Sequence, residues 1–308
     1  MDLALTEDQL MFKKMFADFC TKEIRPLGEQ IDQGEEPPVD LLNKAVDQGF
    51  WAALVPESMD GAGLDTYTYM LMLEELARAD LSTAFTFNVH NSQVAKPLLD
   101  FGTQDQKDRY LPALAFGEML GAFALGEASA GSDVTAVQTT AERKDGGYLL
   151  NGTKTWVFNG QLAGLFLVFA RAAAGMTAFL VEKDTPGLKV GYREKTLGLR
   201  GVACNAVYLN DVLVPVENRL CEEGQGFSLL PGTTNLSRLG VAALCLGASE
   251  RAIEEAVKFS TGASTCVYSE QPDEAGQRAL DCNGGNLGAG ETLIVMTLAV
   301  VGFLVWGH

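Results

Sequence analysis

The sequence predicts an α+β chain in segregated layers: an N-terminal α-helical domain, a middle antiparallel β-domain and the remnant of a C-terminal helical domain. Three observations predict it. Apolar residues recur at helical spacing through residues 1–118, and from Leu120 the pattern changes to short runs of Val, Leu, Phe and Tyr separated by Gly, Asn, Asp and Pro. After Gly224-Gln-Gly-Phe227 helical spacing returns. Helices, then strands, then helices build separate layers rather than alternating βαβ units. The expected domains are therefore 1–118, 119–226 and 227–260, with a divergent tail over 261–308.

Taken in order, Thr6 with Gln9 reads as a capping box, and Leu10, Phe12, Met15, Phe16, Phe19 and Ile24 line one side of a long first helix. Pro37-Pro38 starts a second helix, Val39 to Gln48, which Gly49 stops as the residue past its end. Phe50 to Gly63 is a Pro/Gly-punctuated link, and a helix follows from Thr66 to Ala79. Glu74 and Glu75 are neighbours on it and point in different directions, so they read as a solvated face or an ion pair with Arg78 rather than as a paired acid and base. Helices over Ala84 to Leu99 and Gln104 to Leu114 complete this layer. His90, with no carboxylate or cysteine close by in sequence, reads as a hydrogen-bonded structural residue.

The β-layer opens with a short apolar strand, Gly121 to Leu125, which breaks into Gly126-Glu-Ala-Ser-Ala-Gly-Ser-Asp133. Small residues there leave backbone N–H groups free to cradle an anion such as a pyrophosphate, and Ser132 adds a hydroxyl. In Leu150-Asn-Gly-Thr-Lys-Thr-Trp156-Val-Phe158-Asn-Gly160, Asn-Gly makes a hairpin turn and a strand delivers one large aromatic. Further strands are expected at Tyr148 to Leu150, Leu165 to Ala170, Met176 to Val181, Leu188 to Tyr192 and Val207 to Leu209, the layer closing near Pro215. The last helix shows Leu236, Leu239, Ala243, Leu246 and Ile253 at helical spacing as far as Phe259.

Composition narrows the chemistry. A net charge of −17 argues against nucleic acid or an anionic membrane surface as partner. The six cysteines show no C-x-x-C spacing and only two histidines occur, so no metal site is expected. The chain opens directly into an amphipathic helix without a secretory signal, and the cytoplasm or the mitochondrial matrix is the expected compartment.

Loop and Trp strand together resemble the central flavin-binding segment of the acyl-CoA dehydrogenase family. The likeness runs from Leu3 to Phe259 and includes Pro56-Glu-Ser-Met-Asp-Gly-Ala-Gly-Leu64, Phe101-Gly-Thr-Gln-Asp-Gln-Lys-Asp-Arg-Tyr-Leu-Pro112, Asn210-Asp-Val-Leu-Val-Pro215 with Asn218, and Gly224-Gln-Gly-Phe227. The resemblance implies FAD-dependent oxidation of an acyl-CoA or acyl-carrier thioester to its trans-2-enoyl form, with an electron-transfer flavoprotein as acceptor. It implies FAD contacts at Phe123, Leu125, Gly126, Gly131, Ser132, Trp156 and Phe158. Substrate contacts fall at Ser132, Asn235, Ser237 and Arg238, the last either meeting a substrate anion or forming a helix-surface ion pair.

Departures from the family pattern are equally specific. Two flavin-facing positions that usually carry a hydroxyl are Gly126 and Phe158, which weakens stabilisation of the reduced ring's reactive edge. The family's glutamate base comes either from a late helix or from the position before the helix arginine, which is Ser237; a neutral hydroxyl does not replace a carboxylate. No catalytic residue is therefore assigned, and a catalytically impaired homologue acting as a binding or regulatory subunit is the competing expectation. The usual helical assembly region is missing too, which bears on the homo-oligomer the family would predict and leaves apolar surface on the last helix exposed. Thr261 onward, with Asn283-Gly-Gly-Asn-Leu-Gly-Ala-Gly290 and an uncharged run from Thr292 to Trp306, reads best as a shifted reading frame or alternative terminal exon; a tail anchor and a buried strand or helix are the other readings.

Overall fold

A computed structural model describes residues 4–33, 39–261, 265–268 and 280–283. The Pro37-Pro38 helix start, the glycine-rich stretch past Asn283 and the apolar run from Thr292 lie outside the described residues.

Helix α1 (Glu7–Phe19) opens with the expected capping box, in which the Thr6 hydroxyl accepts from the Gln9 N–H and the Gln9 side chain accepts from the Thr6 N–H. Wider and tighter turns at Cys20–Ile24 and Arg25–Leu27 lead into α2 (Gly28–Gln33). Helix α3 (Val39–Lys44) is shorter than expected, because the chain tightens into a 3-10 turn at Val46–Gln48 before Gly49, at φ 72°, ends it. Helix α4 (Thr66–Ala79) is capped by Asp65, which accepts from the Tyr67 and Thr68 N–H groups.

The helix expected over Ala84 to Leu99 is instead three pieces: α5 (Leu81–Asn88), a π-helical stretch (Val89–Ala95) and α6 (Lys96–Phe101). Pro97 explains the widening, since it has no N–H to donate back to Gln93 and its ring crowds the preceding turn. A second capping box, Thr103 with Gln106, starts α7 (Gln104–Ala115).

The chain then enters an eight-stranded sheet: β1 (Leu120–Ala124), β2 (Thr140–Lys144), β3 (Gly147–Phe158), β4 (Ala163–Ala172), β5 (Gly175–Glu182), β6 (Leu188–Arg193), β7 (Cys204–Pro215) and β8 (Arg219–Leu220). The lateral order is β6-β7-β3-β2-β4-β5-β8, with β1 against β4. Most pairs are antiparallel as expected, but β1 runs parallel to β4, so the sheet is mixed. The physical reason is connectivity: β2 and β3 intervene before β4 returns alongside β1, a crossover rather than a hairpin.

Two turns differ from the sequence expectation. The β2–β3 hairpin is made by Asp145-Gly146, both at positive φ (46° and 79°), the geometry a two-residue turn requires. Asn151-Gly152 lies inside β3, at a break in its register with β7, and does not turn the chain. Its glycine serves close approach instead, since a Cβ there would stand 2.4 Å from the Thr139 hydroxyl and 2.8 Å from the Thr139 Cα. The second pair, Asn159-Gly160, does turn, with Asn159 at φ 65°, but leads to β4, which is not β3's neighbour.

Strand β4 shows why the sheet sits where it does. Leu165, Leu167 and Phe169 pack with α6, α7 and the first turns of the last helix, while Phe166, Val168 and Ala170 pack on the opposite side against β3 and β7. Burial on both faces produces the unbroken apolar run from Leu165 to Ala170. A separate core joins α1, α3, α4 and α5 to Ala243 and Leu244.

That last helix, α8 (Gly226–Thr261), starts within the Gly224-Gln-Gly-Phe227 segment after which helical spacing returns. Pro231 and Thr233 are poor helix formers, yet Leu229 and Leu230 are buried there, and packing overrides propensity. Leu239 and Leu246 are about half exposed, matching the expected apolar surface. A short antiparallel pair, β9 (Thr265–Tyr268) with β10 (Leu280–Asn283), follows.

Glu74 and Glu75 are buried, not solvated. Lys13 reaches both, at 2.8 and 3.5 Å, and Arg78 lies 3.6 Å from Glu75. Burial still pushes the Glu75 carboxyl above its ordinary pKa, against the pull of those cations. On α8, Glu254 is fully buried and takes charge-assisted hydrogen bonds from Arg78 (Nε at 2.7 Å) and Arg25 (3.2 Å). This network, with Gly247 set against the Glu74 carbonyl, holds α8 to α4.

Candidate functional site

The loop after β1 is held by charges that burial makes directional. Lys154 of β3 has no exposed surface; its ammonium donates to the Leu125 carbonyl (3.1 Å) and to Glu127 Oε1 (2.6 Å). Glu127 in turn accepts from the Gln138 N–H (2.7 Å), the Thr139 N–H (3.0 Å) and the Thr139 hydroxyl (2.5 Å). Burial opposes ionisation of Glu127, but these donors outweigh it and hold the carboxyl below its ordinary pKa; burial draws Lys154 down despite Glu127. Sequence reasoning missed this pair. The signal available was a lone Lys in the Trp strand and a Glu at the head of the small-residue loop.

Within the loop, Glu127 and Ala130 exchange backbone hydrogen bonds of 3.0 and 3.1 Å, so the Ala130 N–H is spent on the turn and does not belong to an anion nest. Gly131 and Ser132 are exposed, and among the described residues no backbone partner takes up their N–H groups. Asp133 turns inward on Thr135, through the N–H at 2.9 Å and the hydroxyl at 2.6 Å.

Trp156 stands beside this loop's root. The Thr155 N–H donates to the Gly126 carbonyl at 2.9 Å, and the β3–β7 register breaks between Lys154 and Val157. At that bulge Trp156 takes φ 55° with its side chain 61% exposed, a costly conformation for a bulky residue and of the kind that functional sites retain. Phe158 packs edge-on against Phe85 of α5 at 4.8 Å, and Phe123 against Phe169 at 5.3 Å. Leu125 is buried.

Helix α5 brings the substrate-side candidates near the same place. Phe85, which meets Phe158, lies one turn from Asn88, whose amide donates to the Ser237 carbonyl at 3.4 Å. Ser237 is buried and its hydroxyl accepts from the Gln93 amide at 2.7 Å. Asn235 and Arg238 are exposed on α8, and Arg238 enters no ion pair among the described residues.

Two further buried residues tie β1 to the helical layer. The buried Asn159 amide donates to the Thr86 carbonyl (3.1 Å) and the Gly121 carbonyl (3.0 Å), while His90 Nδ1 accepts from the Gly121 N–H at 2.9 Å. His90 is thus structural, as expected, and burial lowers its pKa to about 4, keeping it neutral.

The family model "Acyl-CoA dehydrogenase, N-terminal domain" matches residues 6–118 and "Acyl-CoA dehydrogenase, middle domain" matches residues 122–212. An acyl-CoA dehydrogenase of Bacillus subtilis is 40% identical over 83% of this chain and 69% of its own length. The chain belongs to the acyl-CoA dehydrogenase family. Butyryl-CoA dehydrogenase from Megasphaera elsdenii superposes with a TM-score of 0.82 at 37% identity, over 85% of this chain and 70% of that one. The FAD complex of PigA gives a TM-score of 0.81 at 28% identity, over 86% of this chain and 71% of that one. Curated relatives include both bacterial and mitochondrial enzymes, and the chain spans 63 to 70% of the length of those it matches.

Among the described residues, the five side chains linked here across α5, β3 and α8 (Phe85, Asn88, Gln93, Phe158 and Ser237) include no carboxylate. No helix among the described residues is long and apolar enough to cross a membrane, and none of their His, Cys, Asp and Glu groups could hold a metal ion.

Proposed function

We propose that this acyl-CoA dehydrogenase-family chain binds FAD between the loop 126–133 and Trp156, and serves the α,β-dehydrogenation of an acyl-CoA or acyl-carrier thioester. One observation carries the reading: an exposed indole, held in left-handed backbone, next to a loop with uncommitted N–H groups at Gly131 and Ser132. Adjacent free amides suit a diphosphate, and a solvent-facing indole offers an apolar wall for a flat ring system. When bound, FAD supplies the acceptor for the β-hydride.

The chain's own residues supply binding and orientation. Ser132 with the Gly131 and Ser132 amides would hold the diphosphate, Phe123 and Leu125 would lie on the strand side of the ring, and Gly126 and Phe158 would border it without a hydroxyl. On α8, exposed Asn235 and Arg238 meet the thioester, the guanidinium suiting its anionic groups. Removal of the α-proton needs a base within hydrogen-bond reach of it, and Ser237, engaged by Gln93, supplies none. That observation favours a second reading, a flavoprotein that binds cofactor and thioester but is impaired in turnover. The resemblance supports an electron-transfer flavoprotein as the acceptor of its electrons, and the cytoplasm or mitochondrial matrix as its location.

Reconstitution of the full chain with FAD tests the reading. Uptake of FAD with quenching of tryptophan fluorescence, followed by enoyl-thioester formation with an artificial electron acceptor, supports the dehydrogenase. Uptake without enoyl product supports the impaired flavoprotein, and a chain that takes up no FAD refutes both.

A further inference from the structure

We propose that the buried Lys154–Glu127 pair is a positioning clamp that preforms the loop 126–139, so that the Gly131 and Ser132 N–H groups stand ready for the diphosphate of a dinucleotide; this rests on the FAD reading above.

Three bonds converge on one short piece of β3. The Lys154 ammonium holds the Leu125 carbonyl and the Glu127 carboxylate, and the Thr155 N–H holds the Gly126 carbonyl. Trp156 follows immediately at the bulge, so a single strand segment fixes both the root of the loop and the base of the indole. The far end of the loop is tied to the same carboxylate, through Gln138 and Thr139. Glu127 thereby closes a span of a dozen residues whose middle, from Gly131 to Asp133, is exposed.

Charge is an expensive way to fill such a space, because taking two ions out of water is strongly unfavourable and a well-packed apolar pair is often no less stable. Direction is what the ions add. A carboxylate accepting from an ammonium, two amides and a hydroxyl admits few loop conformations, whereas an apolar contact would admit many. Pre-ordering the loop means that cofactor binding does not bear that entropy.

Two measurements decide it. In the cofactor-free wild-type chain, hydrogen exchange should show the Gln138 and Thr139 amides protected to the level of the sheet; exchange at the rate of an unstructured loop would overturn the proposal without any variant. In the second, the charges are removed together, as Lys154→Met with Glu127→Met, so that no ion is left unpaired, and Thr139→Val serves as a milder variant that retains both ions. The double variant should bind FAD at least tenfold more weakly, and Thr139→Val about threefold, while affinity for riboflavin, which has no diphosphate, stays within twofold of wild type. Equal losses for FAD and riboflavin, or unchanged FAD binding, would reduce the pair to a packing element. If wild-type chain binds neither flavin, the FAD reading fails while the exchange result still decides whether the clamp orders the loop.

Discussion

Replacing Glu254 by Ala should loosen the docking of α8 more than any other single change on that helix. Its carboxylate has a side-chain exposure of 1%, and its partners Arg25 and Arg78 are 26% and 25% exposed. Deleting one partner of a fully buried pair costs about 3–5 kcal/mol, and a charge-assisted hydrogen bond contributes about 1.5–3 kcal/mol. Both guanidinium groups keep a quarter of their surface in water, which screens the loss, so an expected cost of about 2–4 kcal/mol follows. For a chain of 308 residues, at about 1.5 °C per kcal/mol, that lowers the melting temperature by about 3–6 °C. The assay is thermal denaturation of the cofactor-free chain by circular dichroism, with Glu254→Gln as the isosteric control and Arg25→Ala and Arg78→Ala to complete mutant cycles. Arg78, which places two nitrogens on Glu254 and also faces Glu75, should cost more than Arg25. A shift under about 2 °C for Glu254→Ala, or Arg25→Ala exceeding Arg78→Ala, would refute this account of how the helix is held.

Gly247→Ala places a Cβ 2.1 Å from the Glu74 carbonyl and should lose about 1–2 kcal/mol net of the helix-propensity gain, whereas Gly232→Ala, with nothing within 4 Å, should gain about 0.5–1 kcal/mol; chemical denaturation separates the two. His90 is held near 4 in the folded chain against an ordinary 6.5, so its neutral form supports the fold fully above pH 6.5. That support, roughly 3 kcal/mol, is lost as the pH falls from about 6.5 to about 4, and His90→Gln should flatten the stability profile across that window. Gly126→Ser should be accommodated without a change in melting temperature, because the nearest atom to the new Cβ is the Thr155 carbonyl oxygen at 3.4 Å; after reconstitution it should raise the flavin reduction potential, read by equilibrium titration.

Much of the layout was legible because local signals and tertiary packing agree. The capping boxes at Thr6 and Thr103, the αL residue Gly49 and the change of period at Leu120 each announce themselves within a few residues. The identity of α4's inner face was less so: Glu74 and Glu75 look like surface residues until Lys13, sixty-one positions from Glu74, is folded against them. The π-helical stretch after α5 could have been anticipated from Pro97, which removes a bond that only a wider turn tolerates losing. At the candidate site, Gly126, Ser132, Trp156 and Ser237 stand out by type, but the Lys154–Glu127 pair at the root of the loop joins positions twenty-seven apart. No periodicity encodes such a contact.

Gly152 touches no proposed ligand and turns no corner, yet what it lacks governs the neighbourhood: a methyl group there would collide with Thr139, the residue that hands Glu127 both an amide and a hydroxyl. Saturation mutagenesis would therefore mark position 152 as intolerant for a reason visible only across the strand. The void on one chain segment is the mould against which the next one sets.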